Sequence, residues 1–180
     1  CYPLYYMAVV SISSGLAVQR GETYLWPVDV TLSAYRVVLS DPYILRAYAN
    51  TLLYTSAGVL INMVLTVMCA YPLSRKYLYG RALIAFFVIF TMFFDGGIIP
   101  RFVVVNSLGL INTIWAIVLP AAISVFNLIL VRTFFENIPD ELYESAVVDG
   151  AGEVRTLLQI FLPLSKPVLA TIFIFYTVSH

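Results

Sequence analysis

From Ala47 to Leu73 the sequence contains no charged residue. A second uncharged run extends from Asn112 to Val131. Each reaches the roughly 20 apolar residues that a helix needs to cross a bilayer. With no water inside the bilayer, every backbone N–H and C=O must bond within the protein, so a run of this kind folds as a helix. Composition points the same way. Hydrophobic types make up 61% of the 180 residues and charged types 11%, and the mean hydropathy is +0.92. Soluble domains are about half apolar and a quarter charged. The chain is therefore read as an all-α, multi-pass membrane helical bundle lying in a lipid bilayer.

Tyr2 to Ile12 resembles the tail of a membrane helix, and the segment from Ser13 to Arg46 is a polar, irregular loop with a short surface helix near Leu32 to Leu39. The span from Ala47 is expected to close at Pro72 and to be followed by a basic turn, Ser74 to Arg81. Ala82 to Phe94 is apolar but short, and Asp95-Gly96-Gly97 interrupts it. That break is either an ordinary helix end or a discontinuity beside a solute path. A short helix parallel to the membrane is expected over Phe102 to Leu110. Pro120 should kink the run from Asn112. Arg132 to Lys166 carries Glu136, Asp140, Glu141, Glu144, Asp149 and Glu153, so it must lie in water; the last span begins near Pro167. This gives about five spans in one transmembrane domain, residues 1–180. The chain is expected to be truncated at both ends, because it starts and stops inside apolar stretches. Basic residues in alternate loops (Arg75, Lys76, Arg81, then Arg132, Arg155, Lys166) put the basic turn and the acidic island on the cytoplasmic side.

Several chemistries find no support. Ten basic residues balance ten acidic ones, which gives no case for nucleic acid. Cys1 and Cys69 are too few for a disulfide framework, and with one histidine they make no convincing metal site. No cofactor is implied, and no catalytic constellation is present. There is no phosphate loop of the G-x-x-x-x-G-K-[ST] type, so any ATP must be bound by another subunit. Asn62, Thr66, Ser56, Asn127 and Ser124 lie inside apolar runs. Asn62 and Asn127 are the candidates for a substrate path, while such residues also serve to hydrogen-bond packed helices. Asp95 is the acidic residue nearest the bilayer interior, and beside two glycines it reads as a helix end at the outer surface.

The acidic island resolves into two short helices. Pro139 suits a first helical position, and Asp140 and Glu141 follow where the positive end of the helix dipole favours them. Gly150 can end that helix in the left-handed conformation. A second helix runs from Glu153 to Leu162, with Pro163 at its exit. Small residues at Ser145, Ala146 and Ala151 permit close approach of another backbone.

Glu144-Ser145-Ala146, then Gly150 after three residues, then Ile160, Leu162 and Pro163 after nine more, resembles the EAA motif of binding-protein-dependent ABC importer permeases. Ser145 stands where the family has alanine, and Leu157 where many members have phenylalanine. Ala70 to Arg75, Gly109 to Thr113, Ile138 to Leu142 and Ser165 to Pro167 are similar to the carbohydrate-type branch. The resemblance covers nearly the whole chain and implies a MetI-like fold, with six spans in the full protein. It implies that residues 132–166 form the cytoplasmic coupling loop, with Glu144, Ser145, Ala146, Asp149, Gly150, Ala151, Ile160, Leu162 and Pro163 facing an ABC ATPase subunit. It also implies a second permease subunit, an extracellular or periplasmic solute-binding protein, a place in the cell (inner) membrane, and carbohydrate or oligosaccharide as cargo. Two alternatives stand beside it: a non-transport membrane scaffold or sensor, and the same fold importing peptides, amino acids or ions.

Overall fold

The computed structural model describes residues 2–179; Cys1, as a possible lipidated terminus, and the terminal His180 lie outside the described residues. Among the described residues the regular structure is entirely helical, in the order α1 (Tyr2–Ser11), α2 (Gly15–Gln19), α3 (Ser33–Ser40), α4 (Pro42–Ser74), α5 (Arg81–Phe93), α6 (Ile98–Ser107), α7 (Trp115–Val118), α8 (Val125–Glu136), α9 (Asp140–Val148), α10 (Glu153–Thr156), α11 (Leu162–Leu164) and α12 (Lys166–Ser179). A 3₁₀ turn, Leu119–Ala121, follows α7, and a π-helical segment, Leu157–Phe161, joins α10 to α11.

The chain divides into two compact units, Cys1–Leu52 and Leu53–His180. In the first, backbone bonds tie the loop together: the Thr31 N–H donates to the Ile12 carbonyl at 2.9 Å and the Ser14 N–H to that of Val28 at 3.1 Å. Ser14 also caps α2 by accepting from the Ala17 N–H at 3.3 Å. The Tyr5 hydroxyl donates to the Leu25 carbonyl. The expected surface helix is present as α3.

In the second unit, α4 is the one described helix long and apolar enough by itself to cross a membrane; up to four candidates result if each bent helix pair counts as a single span. Beyond the unit boundary α4 sorts cleanly into faces. Val59, Asn62, Thr66 and Ala70 are buried, while Leu60, Val64 and Met68, four apart on another face, are exposed. An exposed apolar stripe is what a lipid-facing side presents. Pro72 does not close α4, which continues to Ser74. One missing N–H in the last turn is not enough to unwind a helix held by the buried Ala70, Tyr71 and Leu73.

The run expected to end at Phe94 turns by 117° into α6. Asp95 forms that turn. Its carboxylate accepts from the Gly97 N–H at 2.9 Å and pairs with Arg101 at 3.2 Å, with its side chain well exposed. Gly97 takes φ +81°. The chain thus turns sharply at Asp95, with the carboxylate capping the turn. The run from Asn112 breaks more sharply than a proline kink: α7 with its 3₁₀ turn meets α8 at 51°. Ser124 caps the new helix, accepting from the Asn127 N–H at 3.4 Å. The core between α4, α8, the π segment and α12 is built from Val67, Tyr71, Val131, Phe135, Phe161 and Ile172 with their neighbours.

Candidate functional site

The acidic island folds as an elbow. Its first arm is α9, with Asp140 and Glu141 in the first turn. Pro139 caps that arm from outside, with extended ψ of 134°, rather than occupying its first helical position. Gly150 takes φ +75°. The Gly150 N–H donates to the Val147 carbonyl at 3.0 Å, and the Ala151 N–H reaches back to the Ala146 carbonyl at 2.8 Å. This pair of bonds is the Schellman arrangement, which satisfies carbonyls that would otherwise be left open at a helix end. The second arm runs from Glu153 to Leu164 and bends by 84° into α12. Pro163 therefore lies inside this arm, and the exit comes at Ser165.

The inner side of the elbow forms a groove of about 160 Å³, lined by Ser145, Ala146, Asp149 and Ala151 from the first arm and the bend, and by Arg155, Thr156, Gln159 and Ile160 from the second. Five of the nine coupling positions expected from sequence thus share one concave surface. Ala146 is buried against the second arm, which explains the need for a small side chain there. Glu144 and Gly150 are exposed outside the groove lining. Leu162 and Ile160 pack against the core, so they fasten the arm to the bundle.

What fastens the elbow to the end of α4 was not singled out in the sequence. Tyr71, near the end of α4, and Tyr143, on α9, both donate to the Glu153 carboxylate at 2.7 Å, one to each oxygen. Glu153 begins the second arm, so a single carboxylate ties three helices. These phenol hydrogen bonds, that of Tyr143 first, hold the Glu153 carboxyl below its ordinary value. Lys76 bonds Asp140 at 2.7 Å. That contact pushes the Lys76 ammonium up and the Asp140 carboxyl down. Arg81 and Arg132 both reach the same oxygen of Glu136, the latter at 3.1 Å. The only available signal for these anchors was the placement of Arg75, Lys76 and Arg81 directly after an uncharged span. Two tyrosines among thirteen carried none.

Two of the polar residues inside the spans, Thr66 and Ser124, link helices. The Thr66 hydroxyl and the Tyr176 hydroxyl lie 2.6 Å apart, and the Ser124 N–H donates to Tyr176 at 3.2 Å. One phenol thus joins α4, α12 and the start of α8. Asn62 is buried on α4. Asn127 is also largely buried and borders an open cavity of about 900 Å³ together with Ser124, Phe126, Phe175 and Tyr176.

Residues 44–179 match the family described as binding-protein-dependent transport system inner membrane component. Over 98% of its length the chain is 42% identical to protein LplC of Bacillus subtilis (strain 168) and covers 60% of that protein. It is 41% identical, over 99% of its length, to the polygalacturonan/rhamnogalacturonan transport system permease protein YtcP of the same organism, and covers 62% of it. A crystal structure of a bacterial ABC transporter involved in import of the acidic polysaccharide alginate contains a chain that superposes with a TM-score of 0.96. The identity is 41%, over 99% of this chain and 64% of that one. The chain thus spans about three-fifths of the length of these curated relatives.

Proposed function

From the premise that this chain belongs to the family of inner membrane components of binding-protein-dependent transport systems, we propose that it forms the greater part of the permease subunit of an ATP-driven importer. It crosses the cell membrane several times as a single transmembrane domain. Residues 132–166 form its cytoplasmic coupling loop. ATP is hydrolysed on separate ABC ATPase subunits, and the assembly includes a second permease subunit and an external solute-binding protein. The cargo is a carbohydrate of the oligosaccharide or polyuronide-derived kind, as the names of YtcP and of the alginate importer suggest for those proteins.

The observation that carries the coupling role is the elbow itself. Two short helical arms meet at a left-handed glycine and enclose an open groove lined by small and polar residues. Its second arm runs on through the bend at Ser165 into α12, so a push on the elbow is delivered to the end of an apolar helix. A lever of this form requires a partner surface on its open side. Such a surface on an ATPase that moves on nucleotide binding drives the alternation of the solute path.

The test is Ser145→Trp in the full-length permease. Ser145 is exposed and lines the groove, so the ring fills the groove without entering the core. The expected result is loss of ATPase subunits on co-purification and loss of solute uptake, with normal amounts of permease in the membrane. Retained ATPase and retained uptake would refute the coupling role and leave the scaffold or sensor reading in its place.

A further inference from the structure

Arg75 follows the last turn of α4 and is 7% exposed. Its Nε and Nη2 donate to no acceptor among the described residues. Burying a cation without an ion-pair partner is expensive, and no carboxylate among the described residues forms an ion pair with it. Three aromatic faces surround it instead. The guanidinium carbon lies 4.0 Å from the centre of the Phe161 ring, 4.8 Å from that of Tyr143 and 5.2 Å from that of Tyr71. The rings belong to three different elements: Tyr71 to α4, Tyr143 to the first arm of the elbow, and Phe161 to the π segment of the second arm. Tyr71 and Phe161 meet edge to face at 5.2 Å. Glu153 sits just beyond, with both oxygens occupied by the phenols of Tyr71 and Tyr143. Its charge acts on Arg75 through space rather than by contact.

This arrangement has a mechanical consequence. An apolar side chain would fill an aromatic box at lower desolvation cost, but it has no orientation to impose. A rigid planar cation held over rings from three elements constrains their mutual placement more than a flexible ammonium does. We propose that Arg75 is a positioning residue: it locks the end of α4 to both arms of the elbow, so that movement of the elbow reaches α4 as well as α12. The inference rests on the coupling role proposed above and adds a second route for the motion.

The experiment uses the complete transporter, reconstituted in liposomes with its solute-binding protein. It reads solute molecules imported per ATP hydrolysed, alongside co-purification of the ATPase. Arg75→Lys retains the charge and loses the stacking plane. The expected result is ATPase bound at the wild-type level while import per ATP falls roughly fivefold or more, because the ammonium keeps some cation–π attraction but not the planar fit to three rings. Tyr143→Leu, on the more exposed side of the box, lowers the same ratio further than Tyr143→Phe does, because both lose the bond to Glu153 and only leucine also loses the ring. Arg75→Lys with an unchanged ratio overturns the proposal. If Arg75→Lys does not assemble, the Tyr143 pair decides: equal ratios for Leu and Phe overturn it. Ser145→Trp, run in parallel, separates the two levels. Uptake unaffected by that variant removes the coupling role itself, whereas uptake lost there but unaltered by the Arg75 and Tyr143 variants removes only the part given to Arg75.

Discussion

Replacement of Gly150 separates what the elbow owes to backbone conformation from what it owes to contact. The residue sits at φ +75°, and a Cβ built there would meet nothing within 4 Å. Inside the chain, therefore, the whole cost of a side chain is conformational. A left-handed residue other than glycine costs roughly 1–2 kcal/mol, less for asparagine, whose short side chain tolerates this region, and more for a β-branched residue. Since 1.4 kcal/mol is a factor of about ten in an equilibrium, Gly150→Ala should reduce the population of correctly bent elbow by about five- to thirtyfold relative to competing conformations, and Gly150→Val further. Both bonds of the Schellman arrangement are at stake, 3.0 Å from Gly150 to Val147 and 2.8 Å from Ala151 to Ala146. The assay is limited proteolysis between residues 148 and 153 in membranes, run beside ATPase co-purification. Conformational control predicts that damage rises in the order Asn, Ala, Val. If asparagine, the larger side chain, proves more harmful than alanine, size rather than backbone governs the site. The lever would then owe its shape to a partner rather than to the glycine.

The remaining predictions concern the anchors. Because Glu153 and Asp140 are held below their ordinary values, their stabilising contributions are present above the unfolded carboxylate values, about 4.3 and 3.9, and are lost as pH falls through the lower folded values. A melting-temperature difference between wild type and Glu153→Gln should thus be present at neutral pH, begin to shrink below about pH 4.3, and disappear only as pH falls through the lower folded value. Lys76 has the opposite sign: its raised value keeps its contribution intact up to about pH 10.4, and the contribution disappears as pH rises through the folded value. The Lys76–Asp140 pair is exposed, so solvent screening keeps both contributions small, and Asp140→Asn should lower neutral-pH stability only marginally. Tyr176→Phe leaves the buried Thr66 hydroxyl and the Ser124 N–H without the phenol and should cost about 1–3 kcal/mol in thermal unfolding of the solubilised protein. Tyr79→Phe, at a ring that is almost wholly exposed, provides the control.

The helices and the elbow were legible because they rest on local rules. Uncharged runs of sufficient length become helices, and a glycine between two short amphipathic segments becomes a left-handed stop. Gly150 therefore stands where its spacing from Glu144 placed it. The misplacements have a common origin. Pro72 and Pro163 were read as helix ends from their missing N–H groups, yet both lie inside helices, because packing of Tyr71 and of Phe161 outweighs one backbone bond. The anchors were invisible for a different reason. Nothing in the neighbourhood of Arg75 announces that Tyr143, 68 positions later, and Phe161, further still, will present their ring faces to it. Such a box is a product of tertiary folding, and single-sequence patterns record only neighbours along the chain.

The π segment shows how these competing terms are resolved, and it yields a last prediction. Pro163 cannot donate to the carbonyl of Gln159, four residues back, and in an α-helix its ring would collide with that group. The π-helical turn over Leu157–Phe161 lies just before this proline and offers a local way to accommodate it. Pro163→Ala abolishes that local reason for the π turn, and a purely local account then expects reversion to α-helix. Reversion shifts the register by one residue, a rotation of about 100° for everything that follows. It would swing Val168, Ile172 and Tyr176, all buried on one face of α12, away from the core. One backbone hydrogen bond contributes about 1 kcal/mol. Turning that face towards lipid would forfeit the packing of Val168 and Ile172 and would separate the Tyr176 hydroxyl from Thr66 and from the Ser124 N–H, at about 1–3 kcal/mol for each buried polar group left unpaired. The core therefore wins, and Pro163→Ala should keep the π turn, with a stability change of about 1 kcal/mol or less. A cysteine introduced at Ile172 should remain unreactive to a membrane-permeant thiol reagent in both backgrounds. Labelling that appears only with Pro163→Ala would mean that the proline, and not the packing of α12, sets the register by which the elbow meets its helix.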